Sequence, residues 1–346
     1  MNKKILVVTP GLVNKISHLA DSFKNLYEAD IIFGQEAKET KIDRILYFFG
    51  KGNIRSNKIK LNKKILKTVI SSKIDLLVII KGLSIEKETL LKIKKINSDI
   101  KIFNWTCDDL ALAHNQSYDF LDSASEYDAI YTSKSENIKN NELEKIGFKN
   151  IFFFYQRFSY FHHKIPTNKL KKISIGHDVF FAGYAEEERF KFMNFLAKNG
   201  IKVNVYGNGW DRPRFKLRKH KNLKIHFRPV LGNDYSQSIY HSKINLCFLR
   251  VINRDIHTAR SVEIPACGGF MLAERTVEHS HLFTEGEEAE YFSTPDELLK
   301  KVKFYLINSQ NRMAIAKKGY LKTRSEDYSY DSMAKEIFST FEDLQS

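Results

Sequence analysis

Asn253-Arg254-Asp255-Ile256-His257-Thr258-Ala259-Arg260-Ser261-Val262-Glu263-Ile264-Pro265-Ala266-Cys267-Gly268-Gly269-Phe270 is the stretch on which the reading of this chain turns. An apolar run, 244–249, precedes it, and another, 270–273, closes it. The pattern is strand, polar loop, helix over 259–267, paired-glycine stop, strand: the repeating unit of a parallel sheet. Glycine after a helix supplies a left-handed cap that other residues resist. The helix start offers unpaired N–H groups and the positive end of the helix dipole, which suit a diphosphate. Arg250, Arg254 and Arg260 set guanidinium groups around that point, and their planar fork matches phosphate oxygens. Glu263, one turn into the helix, is placed to accept hydrogen bonds from ribose hydroxyls. A capped helix with surface arginines and a structural Gly-Gly stop accounts for the same residues, and the segment alone does not choose between the two.

Outward from this segment the same alternation recurs. Toward the N-terminus, runs at 4–8, 30–33, 75–80, 100–105, 129–132 and 150–154 read as strands. Helical patterns fall at 15–27 and 85–96, the latter with Leu90, Leu91, Ile93 and Ile96 assigned to its inward side. A second series has strands at 179–182, 203–206 and 223–227 ahead of 244–249 and 270–273, and helices at 186–199, 234–241, 295–308 and 312–323. Continuous Val/Ile/Leu/Phe runs belong to strands covered on both faces, so both series predict doubly wound parallel sheets. The expectation is an α/β protein of two Rossmann-like domains facing across a cleft, 1–165 and 166–330, with 331–346 a helix crossing back to the first. Ligands of such sheets bind at the carboxyl ends of the strands.

Composition narrows the function classes. A chain of 346 residues, 42% hydrophobic and 28% charged, suffices for two buried cores. No run of about 18 apolar residues is present to span a bilayer. The basic start and short apolar run at the N-terminus read as a first buried strand, because a signal peptide needs a longer apolar region and a cleavage site. Cys107, Cys247 and Cys267 form no C-x-x-C pair and sit in or beside apolar runs, which points to free thiols in a reducing cytoplasm. The net charge of +15 is spread along the chain, and the lysines of 58–67 and 92–95 have the spacing of solvated helix faces. General surface charge is the preferred reading over a dedicated anionic partner.

The segment 178–330 resembles the donor-binding domain of the CgeB-like (spore maturation protein) glycosyltransferases, relatives of the group 1 GT-B enzymes. Val179-Phe180-Phe181-Ala182-Gly183 with Glu188-Arg189, Val205-Tyr206-Gly207-Asn208-Gly209-Trp210, the stretch from His257 to Phe270, and Leu282-Phe283 with Glu285-Gly286-Glu287-Glu288 carry it, followed by Glu297-Leu298-Leu299 and Tyr305-Leu306. The resemblance implies a GT-B enzyme with an acceptor-side first domain and a nucleotide-sugar-binding second domain. It implies a second acid at Glu263, contacting ribose, and a first acid at Asp255, near the donor sugar, where the family pattern has the longer Glu. Arg189 and Arg260 become diphosphate candidates, although Arg189 also has an i,i+3 partner in Glu186. Gly207, Arg250, His257 and Thr258 complete the expected donor site. Gly207-x-Gly209-Trp210 lets a backbone approach a base or makes a tight turn, and it is not a dinucleotide fingerprint.

In the first half, Gly11 follows the first strand and is a candidate acceptor-side loop, or simply a turn. Trp105-Thr106-Cys107-Asp108-Asp109 places two carboxylates at a strand end. Asp108, Asp109 and the nearby His114 are the candidate bases, with helix capping the competing reading for either aspartate. Asp108-Asp109 is not the D-x-D of metal-dependent GT-A enzymes, and His162-His163 and His279-x-His281 lack metal-site partners, so no obligatory metal or cofactor is expected. Arginines and the helix dipole then meet the leaving-group charge. The expected partners are a nucleotide-sugar donor and a carbohydrate, lipid-linked or protein acceptor. Peripheral contact at the inner face of a membrane is compatible with that acceptor range, and no RNA-binding motif supports a nucleic acid. The alternatives are a nucleotide-sugar epimerase or phosphorylase of the same fold, or a non-catalytic nucleotide- or nucleic-acid-binding protein.

Overall fold

The apolar runs become twelve short strands among the residues described in the computed structural model, 3–10, 18–34, 54–166 (54–56 by backbone only) and 176–345. In chain order the first elements are β1 Ile5–Pro10, α1 His18–Tyr27, β2 Asp30–Gly34, α2 Ile54–Ser72, β3 Leu76–Ile80, α3 Lys87–Ile96, β4 Lys101–Thr106, α4 Tyr118–Asp122, β5 Ala129–Thr132, α5 Ser135–Lys139, α6 Glu142–Ile146 and β6 Ile151–Phe153. There follow β7 Val179–Ala182, α7 Glu187–Lys198, β8 Val203–Tyr206, α8 Pro213–Lys216, β9 Leu223–His226, α9 Gly232–His241, β10 Ile244–Cys247, α10 Ala259–Ala266 and β11 Met271–Glu274. The chain ends with α11 Val277–Leu282, β12 Glu290–Phe292, α12 Pro295–Ile307, α13 Ser309–Ser325 and α14 Tyr330–Asp343.

Two compact units result: Met1–Tyr155 with Tyr330–Ser346, and Gln156–Ser329. In the first, a six-stranded parallel sheet has the order β2-β1-β3-β4-β5-β6. Because side chains alternate along a strand, Leu6, Val8, Leu77 and Ile79 point to one face, packed with Ile65 and Val69 of α2 and Leu90 and Ile93 of α3. Ile5, Val7, Leu76 and Val78 point to the other, packed with Phe23 of α1 and Met333, Ile337 and Phe341 of α14. The last helix thus belongs to the first unit, with Phe338 stacked on Tyr27 at 4.4 Å between ring centroids. On α3 only Thr89, Leu90 and Ile93 turn inward. Leu91 and Ile96, assigned inward from the sequence, are exposed, because this short helix buries a single narrow stripe. On α2, Lys60, Lys63, Lys64 and Lys67 form an exposed stripe, whereas Lys58 bonds to Asp119 at 2.8 Å.

The second unit carries a parallel sheet of order β12-β11-β10-β7-β8-β9, in which the chain runs outward from β7 to β9 and then returns to β10 on the other side. Its main core packs Val179, Phe181, Val205, Leu246 and Phe248 of or beside the sheet against Phe190 and Met193 of α7 and Leu298 and Val302 of α12. The division at Tyr155 and Gln156 lies before the 165/166 boundary read from the sequence. The reason is local: Phe158 bridges to Ser329, and the Arg324 guanidinium lies 4.3 Å from the Phe158 ring and 5.1 Å from that of Tyr160. Arg324 also donates to the carbonyls of His163 and Ala266, tying 156–166 to this unit. Cys247 and Cys267 are buried free thiols, and burial pushes Cys267 up to about 12. No helix among the described residues is long and apolar enough to cross a membrane.

Candidate functional site

In the second unit the strand order reverses between β7 and β10, so the loops leaving their carboxyl ends diverge there. Gly183-Tyr184 leaves β7 and Phe248-Leu249-Arg250 leaves β10. Arg189, in the first turn of α7, joins the two. Its Nε and Nη2 donate to the Leu249 carbonyl at 3.1 and 2.8 Å, and Nη1 donates to the Tyr184 carbonyl at 3.0 Å. At 2% exposure the group is out of reach of a ligand. Burial first, then the neighbouring Arg260, lowers Arg189 from 12.5 to about 10. Arg189, a diphosphate candidate in the sequence, is instead a brace across the switch point. The other side of Leu249 is held too, its N–H donating to the half-buried carboxylate of Glu274.

Gly207 has a similar positioning role. Its φ of 149° and a Cβ position 1.9 Å from the Gly183 carbonyl oxygen leave no room for a side chain, and its N–H donates to the Arg228 carbonyl at 2.9 Å. The glycine brings the β7 and β8 loops together, and its own N–H is not turned toward a base. Trp210 secures the contact from beneath, donating Nε1–H to the same Gly183 carbonyl at 2.9 Å.

The more exposed groups gather at this edge. Arg250 donates Nε–H to Glu186 at 2.8 Å, and its guanidinium carbon lies 5.8 Å from the Tyr184 ring. Asp255 accepts from the Arg250 N–H at 3.2 Å and from Asn253 Nδ2 at 2.8 Å, so its carboxylate closes the loop that positions Arg250. That loop is tight enough to put Arg254 at φ 45°. Thr258 caps α10, its hydroxyl accepting from the Arg260 N–H at 3.2 Å, while Ser261 Oγ accepts from the Thr258 N–H at 2.9 Å. Arg260 is half-buried with its guanidinium 5.9 Å from the Phe181 ring, and its buried Nε–H has no acceptor among the described residues. An unsatisfied guanidinium N–H at the amino end of a helix favours an anion.

Two histidines beneath α10 have both ring nitrogens engaged. Gln156 donates its N–H to His257 Nε2 at 2.9 Å, so His257 Nδ1 carries the proton and donates it to Glu278. His257 is 2% exposed, so this expected donor contact is a buried link from the loop to α11 and the start of the unit. His279 Nδ1–H donates to the Glu274 carbonyl at 2.6 Å, which leaves Nε2 to accept from Ser261 at 2.7 Å. Burial lowers His279 to about 4, so it is neutral at pH 7. Glu263 lies one turn along α10, its side chain 16% exposed. Tyr235 on α9 donates to Glu263 Oε2 at 2.8 Å, and His163 Nε2 stands 3.7 Å from Oε1. Ser159 donates its N–H to His163 Nδ1 at 3.0 Å, which turns the Nε2–H toward Glu263. Tyr235 and His163 give no periodic signal in the sequence, which offers His163 only as half of a histidine pair without metal-site partners. The paired glycines are a helix stop: Gly268 sits at φ 75° and Gly269 donates to the Ile264 carbonyl at 3.0 Å.

In the first unit the three candidate bases separate. Asp109 is fully buried, Oδ1 accepting from the Ala111 N–H at 3.1 Å and from Asn137 Nδ2 at 2.8 Å, so it organises the turn after β4 and is no base for a substrate. Asp108 stays 30% exposed at the carboxyl end of β4, paired with Lys81 Nζ at 2.8 Å, and Lys81 follows β3. His114 is exposed in the 3-10 turn Ala113–Asn115. Gly11 lies outside the described residues. A small depression that the sequence did not suggest is lined by Thr9, Pro10, Gly34, Ile80 and Ser84, at the carboxyl ends of β1, β2 and β3.

Comparison with known proteins bears on both units. Residues 189–339 match the family model described as glycosyl transferase-like. No curated protein matches the sequence. An α-glucosyltransferase solved with UDP and a 13-mer DNA superposes with a TM-score of 0.68 at 12% identity, over 99% of this chain and 100% of its own. HepE of Anabaena, solved with UDP and glucose, gives 0.64 at 12% identity, over 99% and 100%. A structure described as a UDP-N-acetylglucosamine 2-epimerase from Listeria monocytogenes gives 0.60 at 11% identity, over 99% and 98%. The chain has the two-domain α/β fold of the GT-B proteins, and its residues 189–339 are similar to a glycosyl transferase-like family.

Proposed function

We propose that the protein is a glycosyltransferase that moves a sugar from a nucleotide diphosphate donor to a hydroxyl-bearing acceptor. The observation that carries the reading is the unsatisfied Nε–H of Arg260 at the capped amino end of α10, one turn before a carboxylate held by Tyr235. Arg260, Arg250 and the helix end meet the diphosphate, and the free side of Glu263 accepts from ribose hydroxyls. As the bond from the sugar's anomeric carbon to the diphosphate breaks, the growing charge is taken up by these fixed donors, and the acceptor oxygen forms the new bond. Asp108, held by Lys81 and still open to solvent, orients the acceptor hydroxyl or takes its proton. Arg189, Gly207, Asp255, His257 and Thr258 position these groups and do not touch the donor. The UDP in the α-glucosyltransferase and HepE structures makes UDP-sugars the first donors to test. The family named CgeB-like, the absence of a required metal and a cytoplasmic location remain part of this proposal.

Incubation with UDP-sugars, followed by NMR of the sugar and an assay of released UDP, tests the reading. Slow UDP release, accelerated by glycan or lipid-linked acceptors, is expected. The Listeria structure favours a second reading, epimerisation, in which a new UDP-sugar isomer accumulates with no acceptor and no UDP release. That outcome would replace the transferase reading.

A further inference from the structure

The carboxyl-end loops of β8 and β9 form a basic face that the donor site does not use. Residues 211–228 hold eight Lys and Arg against one acid, Asp211, a local charge of +7 within the chain's total of +15. The segment is anchored: Phe215 of α8 is fully buried, 5.2 Å from Trp210 and 5.3 Å from Phe190 between ring centroids. Its neighbours Arg214, Lys216, Leu217 and Lys219 therefore project outward, all exposed. Lys216 Nζ lies 4.9 Å from the Phe227 ring, and Gly207 N–H bonds to the Arg228 carbonyl, so the two loops make one surface. Arg218 pairs with Glu187 at 2.8 Å. Among the described residues no acid pairs with Arg214, Lys216, Lys219, Lys221 or Arg228.

Two apolar side chains stand out in this cationic field. Leu217 is 85% exposed between Lys216 and Arg218, and Phe227 is 50% exposed. Phosphates of either a nucleic acid or a lipid headgroup suit the cations. An aliphatic tip flanked by two cations gains nothing from a nucleic-acid backbone, whereas at a bilayer interface it leaves water while its neighbours stay at the phosphates. We propose that this face docks the second unit on an anionic lipid bilayer, with the cations at the headgroups and Leu217 and Phe227 entering the interface. The docking stands apart from the donor site and fails or survives independently of it.

The test is co-sedimentation of the full chain with vesicles of phosphatidylcholine alone or mixed with phosphatidylglycerol, at about 0.1 M salt. Binding to the mixed vesicles and not to the neutral ones is expected. Replacing Lys216, Lys219 and Lys221 together by Gln should weaken partitioning about a hundredfold, taking each cation near the surface at its usual contribution. Leu217→Ser with Phe227→Ser should weaken it about tenfold. Lys60→Gln, Lys63→Gln and Lys64→Gln on α2 remove equal charge elsewhere and should change it less than about threefold. A melting temperature within about 2 °C of wild type for each variant reports an intact second unit. Absent vesicle binding, an equal loss in the α2 variant, or a Lys216/Lys219/Lys221 variant that loses oligonucleotide binding yet keeps vesicle binding would each overturn the proposal.

Discussion

Replacing Arg189 by Met separates a brace from a phosphate ligand. Met fills much of the arginine stem's volume but donates no hydrogen bond, so the carbonyls of Tyr184 and Leu249 lose their three N–H contacts at 2.8–3.1 Å. Bonds from a charged donor contribute about 1.5–3 kcal/mol each, so the gross loss is roughly 4–9 kcal/mol. Against this stands relief from burying the charge. The fall from 12.5 to about 10 at Arg189 corresponds to roughly 3 kcal/mol. The net destabilisation is about 3 kcal/mol, which for a unit of this size lowers the melting temperature by about 6–12 °C. Arg189→Lys, which keeps the charge but cannot fork onto both carbonyls, should fall between wild type and Met. Differential scanning calorimetry with and without UDP provides the assay. A melting temperature of Arg189→Met within about 2 °C of wild type, with UDP binding lost, would refute the brace and restore a direct phosphate contact.

Other substitutions test the rest of the scaffold and site. Gly207→Ala puts a Cβ on the Gly183 carbonyl at a φ of 149°, and urea denaturation should show a loss of about 3 kcal/mol. Asp108→Asn should leave the melting temperature nearly unchanged, since a half-exposed ion pair contributes about 0–1 kcal/mol, while transfer to acceptor falls at least about a hundredfold. Asp109→Ala should instead cost about 2–4 kcal/mol by orphaning the Ala111 N–H and one of the two Asn137 Nδ2 hydrogens, the other staying on Glu142, seen in the same denaturation assay. His279 is neutral when folded, with a value near 4 against 6.5 when unfolded, so the unfolded chain takes up the proton first as pH falls. Stability is then full above about pH 6.5 and declines toward pH 4 by roughly 3 kcal/mol from this group. Urea midpoints at about pH 7.5 and 4.5 should diverge less in His279→Gln than in wild type, and an equal divergence would exclude His279 as the source.

The strands were legible because a parallel sheet covered on both faces needs continuous apolar runs, and 179–182 or 129–132 contain little else. β12 escaped notice because three residues beginning with the charged Glu290 give no run; Lys301 and Tyr305 hold that carboxylate from α12. The helix after β11, Val277–Leu282, is too polar to show a stripe, since His279 and Glu278 face inward to polar partners. In the site, the glycine stop, the capped helix and the arginine cluster could be read from local spacing. Which of those arginines and histidines turn inward depends on distant partners, and spacing carries no such information. Leu249 follows the strand that returns to the middle of the sheet, Gln156 opens the unit, and Glu278 sits on the next helix. Tyr235 reaches Glu263 only because α9 and α10 cover the same sheet face.

Isothermal titration of UDP, GDP, ADP and CMP into wild type and Glu263→Ala tests the central claim most directly. Saturable binding of one nucleoside diphosphate, weakened at least about tenfold in a Glu263→Ala protein that stays folded at the assay temperature, is the result expected from a lost ribose contact. No binding at millimolar nucleotide, or equal affinity in wild type and Glu263→Ala, would contradict the donor site at α10 while leaving the fold intact.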